Sequence, residues 1–140
     1  PYSSGRFVQL ANTGFFAGNR FFMVEENFVA HFGISGDPSV SEAWGMRPLP
    51  GDVVRESNKR GYISFSPDSR PRMGDMTTTE VFINLVDNSH LDENNLAPFG
   101  RIIEGIEVVD DLYETPIPAD HGDPRGSRAG GTSSAVPDPL

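Results

Sequence analysis

Glu80-Val81-Phe82-Ile83-Asn84-Leu85, followed by Leu91-Asp92 and then by Phe99-Gly100-Arg101-Ile102-Ile103-Glu104-Gly105-Ile106-Glu107-Val108-Val109-Asp110, is the stretch that decides the fold. The first run is apolar and rich in β-formers. A polar loop follows it. A second short apolar run then leads through Gly105 into residues with helical spacing. The order is strand, loop, strand and short amphipathic helix. Strands are expected over 81–86 and 99–103, and a helix over 107–113 with Val108, Val109 and Leu112 facing inward.

Upstream, Tyr62-Ile63-Ser64-Phe65 reads as a further strand. Residues 66–79, with two prolines and two arginines, read as a polar loop. Residues 33–50 are expected to be loop, punctuated by Gly36-Asp37-Pro38 and Pro48-Leu49-Pro50. The segment 15–32 is strand-rich, with pieces over 19–24 and 28–32 interrupted at Glu25-Glu26-Asn27. Residues 4–13 read as a helix capped by Ser3 or Ser4 and stopped by Gly14, with Phe7, Leu10 and Ala11 on its inner face. Beyond Tyr113 the composition changes. Residues 114–140 hold five prolines, four glycines and three serines with few apolar residues. The chain therefore divides into a domain over 1–113 and a Pro/Gly/Ser-rich tail over 114–140, which has no core of its own.

Composition narrows the function classes. At 140 residues the chain suits one domain, and its ten phenylalanines supply much of the core bulk. A net charge of −9 argues against a nucleic-acid partner, which needs a basic face. No apolar run is long enough for a membrane span. The absence of cysteine removes disulfides and thiolate chemistry. The chain begins at Pro1, which reads as a processed product or a piece of a longer chain. The compartment stays open, with a lean to a soluble or peripheral organellar protein.

Several segments in order carry a resemblance. They are Arg6-Phe7-Val8-Gln9-Leu10, Phe21 to Asp37, Phe32-Gly33-Ile34-Ser35-Gly36-Asp37-Pro38, Trp44, and Ser57-Asn58-Lys59-Arg60-Gly61-Tyr62-Ile63-Ser64-Phe65, together with the stretch quoted first. From about Pro1 to Tyr113 the chain resembles the cyclophilin family of peptidyl-prolyl isomerases, in a divergent branch with Gln-Phe-Gly-Ile-x-Gly-Asp-Pro. The resemblance implies a mainly β fold, an antiparallel β-barrel with two flanking helices. The chain starts at the family's first helix, and the Pro/Gly tail follows its last. The two N-terminal strands and the closing strand of the barrel have no counterpart in these residues, so the expectation is an open sheet edge that either residues upstream or another chain covers.

The family mechanism needs an apolar pocket for the proline ring and a guanidinium that polarises the prolyl nitrogen. The guanidinium lowers an amide barrier of about 18–20 kcal/mol. The resemblance places Phe28, Val29, Phe82 and Leu91 at pocket positions, Val29 replacing a usual methionine. Their alternative role is barrel core, and the strand pattern leaves the two open. Met23 stands at the arginine position, within Phe22-Met23 in place of His-Arg, and has no donor. His31 and Glu80 stand at two family glutamines, and a glutamate, which only accepts, disfavours peptide carbonyls. The pocket histidine aligns with Asn95-Leu96. His90 stands where cyclosporin-sensitive members have tryptophan. Arg70 and Arg72, in the long 66–79 loop, are the candidate substitutes for the arginine, against a default of solvated charge. Arg20 is expected on the opposite face from Met23 by strand parity.

Other constellations carry less. The histidines His31, His90 and His121 lack metal spacing. Asp87-Asn88-Ser89-His90-Leu91-Asp92-Glu93 lacks the glycine and glutamate of a calcium loop and reads as solvated. No glycine loop would cradle phosphate, and no cofactor is called for. Three roles follow: a peptidyl-prolyl isomerase weakened or silenced at Met23, a module that binds proline-containing segments without turning them over, or a structural subunit packed on neighbours in a larger assembly.

Overall fold

A computed structural model describes residues 2–112, so the 114–140 tail lies outside the described residues. Helix α1 spans Tyr2–Asn12. Strands β1 (Met23–Glu25) and β2 (Val29–Phe32) follow, then helix α2 (Pro38–Gly45), β3 (Tyr62–Pro67) and β4 (Thr77–Asn84). A 3-10 helix (Ser89–Asn94), β5 (Pro98–Arg101) and α3 (Ile106–Asp110) complete the order. The strands form one antiparallel sheet in the order β1-β2-β4-β3-β5. Among the described residues no pairing joins β5 to β1, so both are edges.

Register fixes which residues share a face. Val24 lies opposite Ala30, Ala30 opposite Ile83, and Ile83 opposite Ile63. Phe32 and Phe65 both lie opposite Val81. These residues form the inner face, because side chains alternate along a strand. Val24, Ala30, Ile83 and Leu85 make one buried cluster, covered by Ile102 and by Ile106, Val109 and Leu112 at the C-terminal end. Phe65 and Val81 make a second with Leu10 of α1, backed by Phe7, Phe15, Phe16, Trp44 and Phe99. Between Phe16, Phe21, Phe32, Ile102, Val109 and Leu112 an apolar groove of about 750 Å³ stays open on this face.

The local signals were partly misread. The start of α1 is capped from afar: the Tyr2 and Ser3 N–H groups donate to the Asp52 carboxylate at 2.8 and 2.9 Å, so neither Ser3 nor Ser4 is the cap. Its end is as expected. Gly14, at φ 76°, donates to Ala11 O, and Phe15 donates to Leu10 O, which closes the helix over a Leu10–Phe15 contact. Ala11 is exposed rather than inward. Part of the 33–50 loop is helix α2, because Asp37 accepts from Ser39 N–H at 2.9 Å and Pro38 occupies the first turn. Strand β4 starts at Thr77, inside the expected 66–79 loop. In α3, Val108 is 61% exposed, while Val109 and Leu112 do face inward. No helix among the described residues is long and apolar enough to cross a membrane.

Candidate functional site

The same register defines the outer face. Met23 pairs with His31, His31 with Phe82 and Phe82 with Ser64, a row running across β1, β2, β4 and β3. A second row runs Glu25–Val29–Asn84. Glu80 lies two residues from Phe82 on β4 and shares this face. The sheet thus carries Val29 and Phe82 on the side opposite the two inner clusters.

Val29, Phe82 and Leu91 form a third buried cluster there, with Phe28 and Leu96 packed against it. All five apolar residues placed at the site from the sequence therefore come together. They are close-packed, with Val29 2%, Phe82 3% and Leu91 9% exposed. Around this cluster, His31 lies 5.6 Å from Phe82 and 5.8 Å from Phe22, ring to ring, and Phe28 stacks on His90 at 6.1 Å. The His31 Nδ1 atom is 3.5 Å from the Glu80 carboxylate and has no hydrogen-bond partner among the described residues. Met23, half-buried, ends the row on the β1 edge.

The segment that carries Leu91 and Leu96 is held by a buried polar network. Asn58, fully buried, donates its amide hydrogens to Asp92 Oδ1 at 2.8 Å and to the Leu96 carbonyl at 2.7 Å. Its amide oxygen accepts from Ser64 Oγ and Asn84 Nδ2 at 2.8 and 3.1 Å. Asn88 donates to Asn84 Oδ1 at 2.9 Å and to the Phe28 carbonyl at 3.0 Å. Ser57 Oγ and the Asn58 N–H add donors to Asp92 at 2.6 and 2.9 Å. Desolvation pulls the Asp92 carboxyl up, but these hydrogen bonds outweigh it and leave the group below the usual carboxylate range. The 87–93 segment is therefore not a solvated loop: Asn88 is buried and Asp92 anchors it. The available signal was Asn84, a polar residue inside an apolar strand.

Of the two arginines expected as substitutes, Arg70 is committed elsewhere. Arg70, exposed to solvent, is gripped by Asp68 through Nε and Nη2 at 2.7–3.0 Å and also donates to Gly45 O at 2.7 Å. Arg72 is exposed, with φ 68°. Arg60 is held by Asp110 and the Leu85 carbonyl. Arg6 is buried under α1, donating to Thr78 O and Arg47 O at 2.9 and 2.6 Å, with Trp44 at 5.1 Å. Burial, and then the charge of Arg47, pulls its pKa below the usual arginine value. Arg20 precedes β1, so strand parity does not fix its direction.

The sequence matches the model of the family described as cyclophilin type peptidyl-prolyl cis-trans isomerase over residues 1–126. The chain belongs to this family. The peptidyl-prolyl cis-trans isomerase of Acinetobacter baylyi is 28% identical over 121 residues, covering 83% of this chain and 62% of that protein. Isomerase A of Dickeya dadantii is 31% identical over 119 residues, covering 81% and 60%. The chain thus spans about 60% of the length of these relatives. A cyclophilin of Cryptosporidium parvum, crystallised in the presence of the dipeptide Ala-Pro, superposes with TM-score 0.62 at 19% identity, over 85% of this chain and 75% of that one. At that identity the likeness is one of fold, and it establishes the cyclophilin fold for the chain.

Proposed function

We propose that this cyclophilin domain binds proline-containing protein segments on its outer face and isomerises them weakly or not at all. The observation that carries the reading is one row of the sheet. Phe28 and Leu96, half-buried over the closed Val29–Phe82–Leu91 cluster, are the apolar surface left for a pyrrolidine ring to pack on, whereas Met23, in the row of Phe82, offers no donor. Cyclophilin catalysis is electrostatic, without a covalent intermediate, so a missing guanidinium removes the term that separates transition state from ground state. Binding uses the apolar half and survives. The Ala-Pro dipeptide in the Cryptosporidium parvum structure supports the choice of ligand class.

The test is cis/trans exchange of an Ala-Pro peptide followed by NMR. The native chain is expected to bind the peptide and leave the exchange rate close to that of peptide alone. Met23→Arg is expected to raise exchange by about 10²–10³-fold, the scale of one transition-state donor. Phe82→Ala is expected to abolish binding. Strong catalysis by the native chain, or no peptide bound by any of the proteins, refutes the reading. The structural-subunit reading draws its support from a different place, the open apolar groove of the inner face with Ile103 and Val108 exposed beside it.

A further inference from the structure

We propose that the outer-face site selects segments with lysine or arginine next to the proline, and that Glu80 is the residue that sets this preference. The inference rests on the binding reading above and adds the substrate class. The elements that surround the apolar cluster are β1, β2, β4 and the 3-10 helix. Their residues include Glu25, Glu80, Asp92 and Glu93, and neither lysine nor arginine; the segment 57–60 bonded to the 3-10 helix adds Lys59, near Asp87, and Arg60, held by Asp110. These carboxylates differ in what they have left to offer. Asp92 is occupied by Ser57 and Asn58. Glu25 stands beside Val29 on the far β1 edge, and Glu93 is exposed on the 3-10 helix.

Glu80 is different. It shares a strand face with Phe82, and its side chain is only 20% exposed. Its Oε2 faces His31 Nδ1 at 3.5 Å, longer than an ordinary hydrogen bond. A partly buried carboxylate whose neighbour is an imidazole nitrogen at 3.5 Å can accept further donors from whatever covers it. A peptide lying over the partly buried His31, which stands beside Phe82 in the row, comes within its reach. The carboxylate repels the peptide's carbonyl oxygens and attracts an ammonium or guanidinium, because it has lone pairs and no proton to give. The net charge of −9 draws the same ligands from a distance, with a salt dependence that a local contact lacks. The two contributions are thus separable.

The experiment compares peptides that differ only before the proline, Ala-Lys-Pro-Ala, Ala-Ala-Pro-Ala and Ala-Glu-Pro-Ala. Each is titrated by NMR into the native chain, Glu80→Gln and Glu25→Gln, at about 20 mM and about 300 mM salt. In the native chain the lysine peptide is expected to bind about 5–10-fold more tightly than the alanine peptide, and the glutamate peptide most weakly. At the higher salt concentration part of that ratio remains. Glu80→Gln brings the lysine-to-alanine ratio close to one, and Glu25→Gln keeps most of it. Equal binding of the three peptides overturns the selectivity while leaving the binding site standing. A lysine preference that survives in Glu80→Gln overturns the role of this residue in favour of the overall charge. If no peptide binds, the site reading fails and the selectivity falls with it.

Discussion

Asn58→Ala tests whether the buried polar network holds the site together. The side chain makes four hydrogen bonds, to Asp92, the Leu96 carbonyl, Ser64 and Asn84, all at 2.7–3.1 Å. The substitution removes all four. The main-chain bonds of Asn58, its N–H to Asp92 and its carbonyl from the Asn88 N–H, remain. Asn84 keeps the Tyr62 carbonyl, and Asp92 keeps Ser57. Ser64, fully buried, and the Leu96 carbonyl lose the partner that the structure gives them. Four net hydrogen bonds at about 1 kcal/mol each, with two groups stranded, amount to about 4 kcal/mol or somewhat more. That is about a quarter or more of the stability of a typical domain, about 5–15 kcal/mol. The measurement is urea unfolding, with the slope checked for constancy, beside hydrogen exchange of the Asn88 and Leu91 amides. A midpoint shift worth less than about 1 kcal/mol refutes the reasoning, since buried, fully satisfied bonds of this number cannot be removed so cheaply. Asn58→Asp sharpens the test. It sets a second carboxylate against Asp92, so its penalty is larger at pH 7 than at pH 4.

Two further outcomes follow from the ends of the structure and from its carboxylates. Asp52→Ala leaves the Tyr2 and Ser3 N–H groups of α1 without their acceptor and is expected to cost about 1 kcal/mol, seen as a fall of roughly 4 °C in thermal midpoint. An unchanged midpoint would show that water replaces the cap at no cost. Asp52 and Asp92 both lie below the usual carboxylate value, hydrogen bonds outweighing desolvation in each. A depressed folded pKa stabilises above the unfolded value and is lost as pH falls through the folded one, so the urea midpoint is expected flat above about pH 5 and falling below about pH 4. A decline that begins above about pH 6 would assign the dependence to other groups.

The strands were legible in the sequence, but their faces were not, and the reason lies in β4. Val81, Phe82 and Ile83 are consecutive and all buried, because this strand is covered on both sides. Period-two alternation marks a face only when the other face is polar. Phe82 could therefore be placed in the strand but assigned to neither pocket nor core until pairing with His31 fixed its side. Helix α2 was legible in principle, since Asp37-Pro38 is a cap followed by a first-turn proline, yet the same pair also reads as a turn. The Asp52 cap was not legible at all, because it acts across 49 residues. Asn58 and Asp92 were missed for a related reason: polar residues default to the surface, and only partners distant in sequence make burial affordable.

The network also bears on the proposed reading, because it holds the apolar cluster independently of position 23. Among the described residues, the hydrogen bonds that hold the Phe28 and Leu96 carbonyls and the Leu91 N–H do not involve Met23. The Phe28 carbonyl is tied to Asn88, Leu85 N–H donates to that same carbonyl, and the Leu96 carbonyl is tied to Asn58. Phe82 and Val29 are set by the β2–β4 pairing, two strands inward from the β1 edge in the case of Phe82. A change at the edge position leaves these constraints in place, since the contacts it alters are those of Met23 with its row neighbours. The apolar cluster and position 23 are thus held by separate constraints, and that separation is what lets Met23→Arg test the proposed reading without disturbing the cluster.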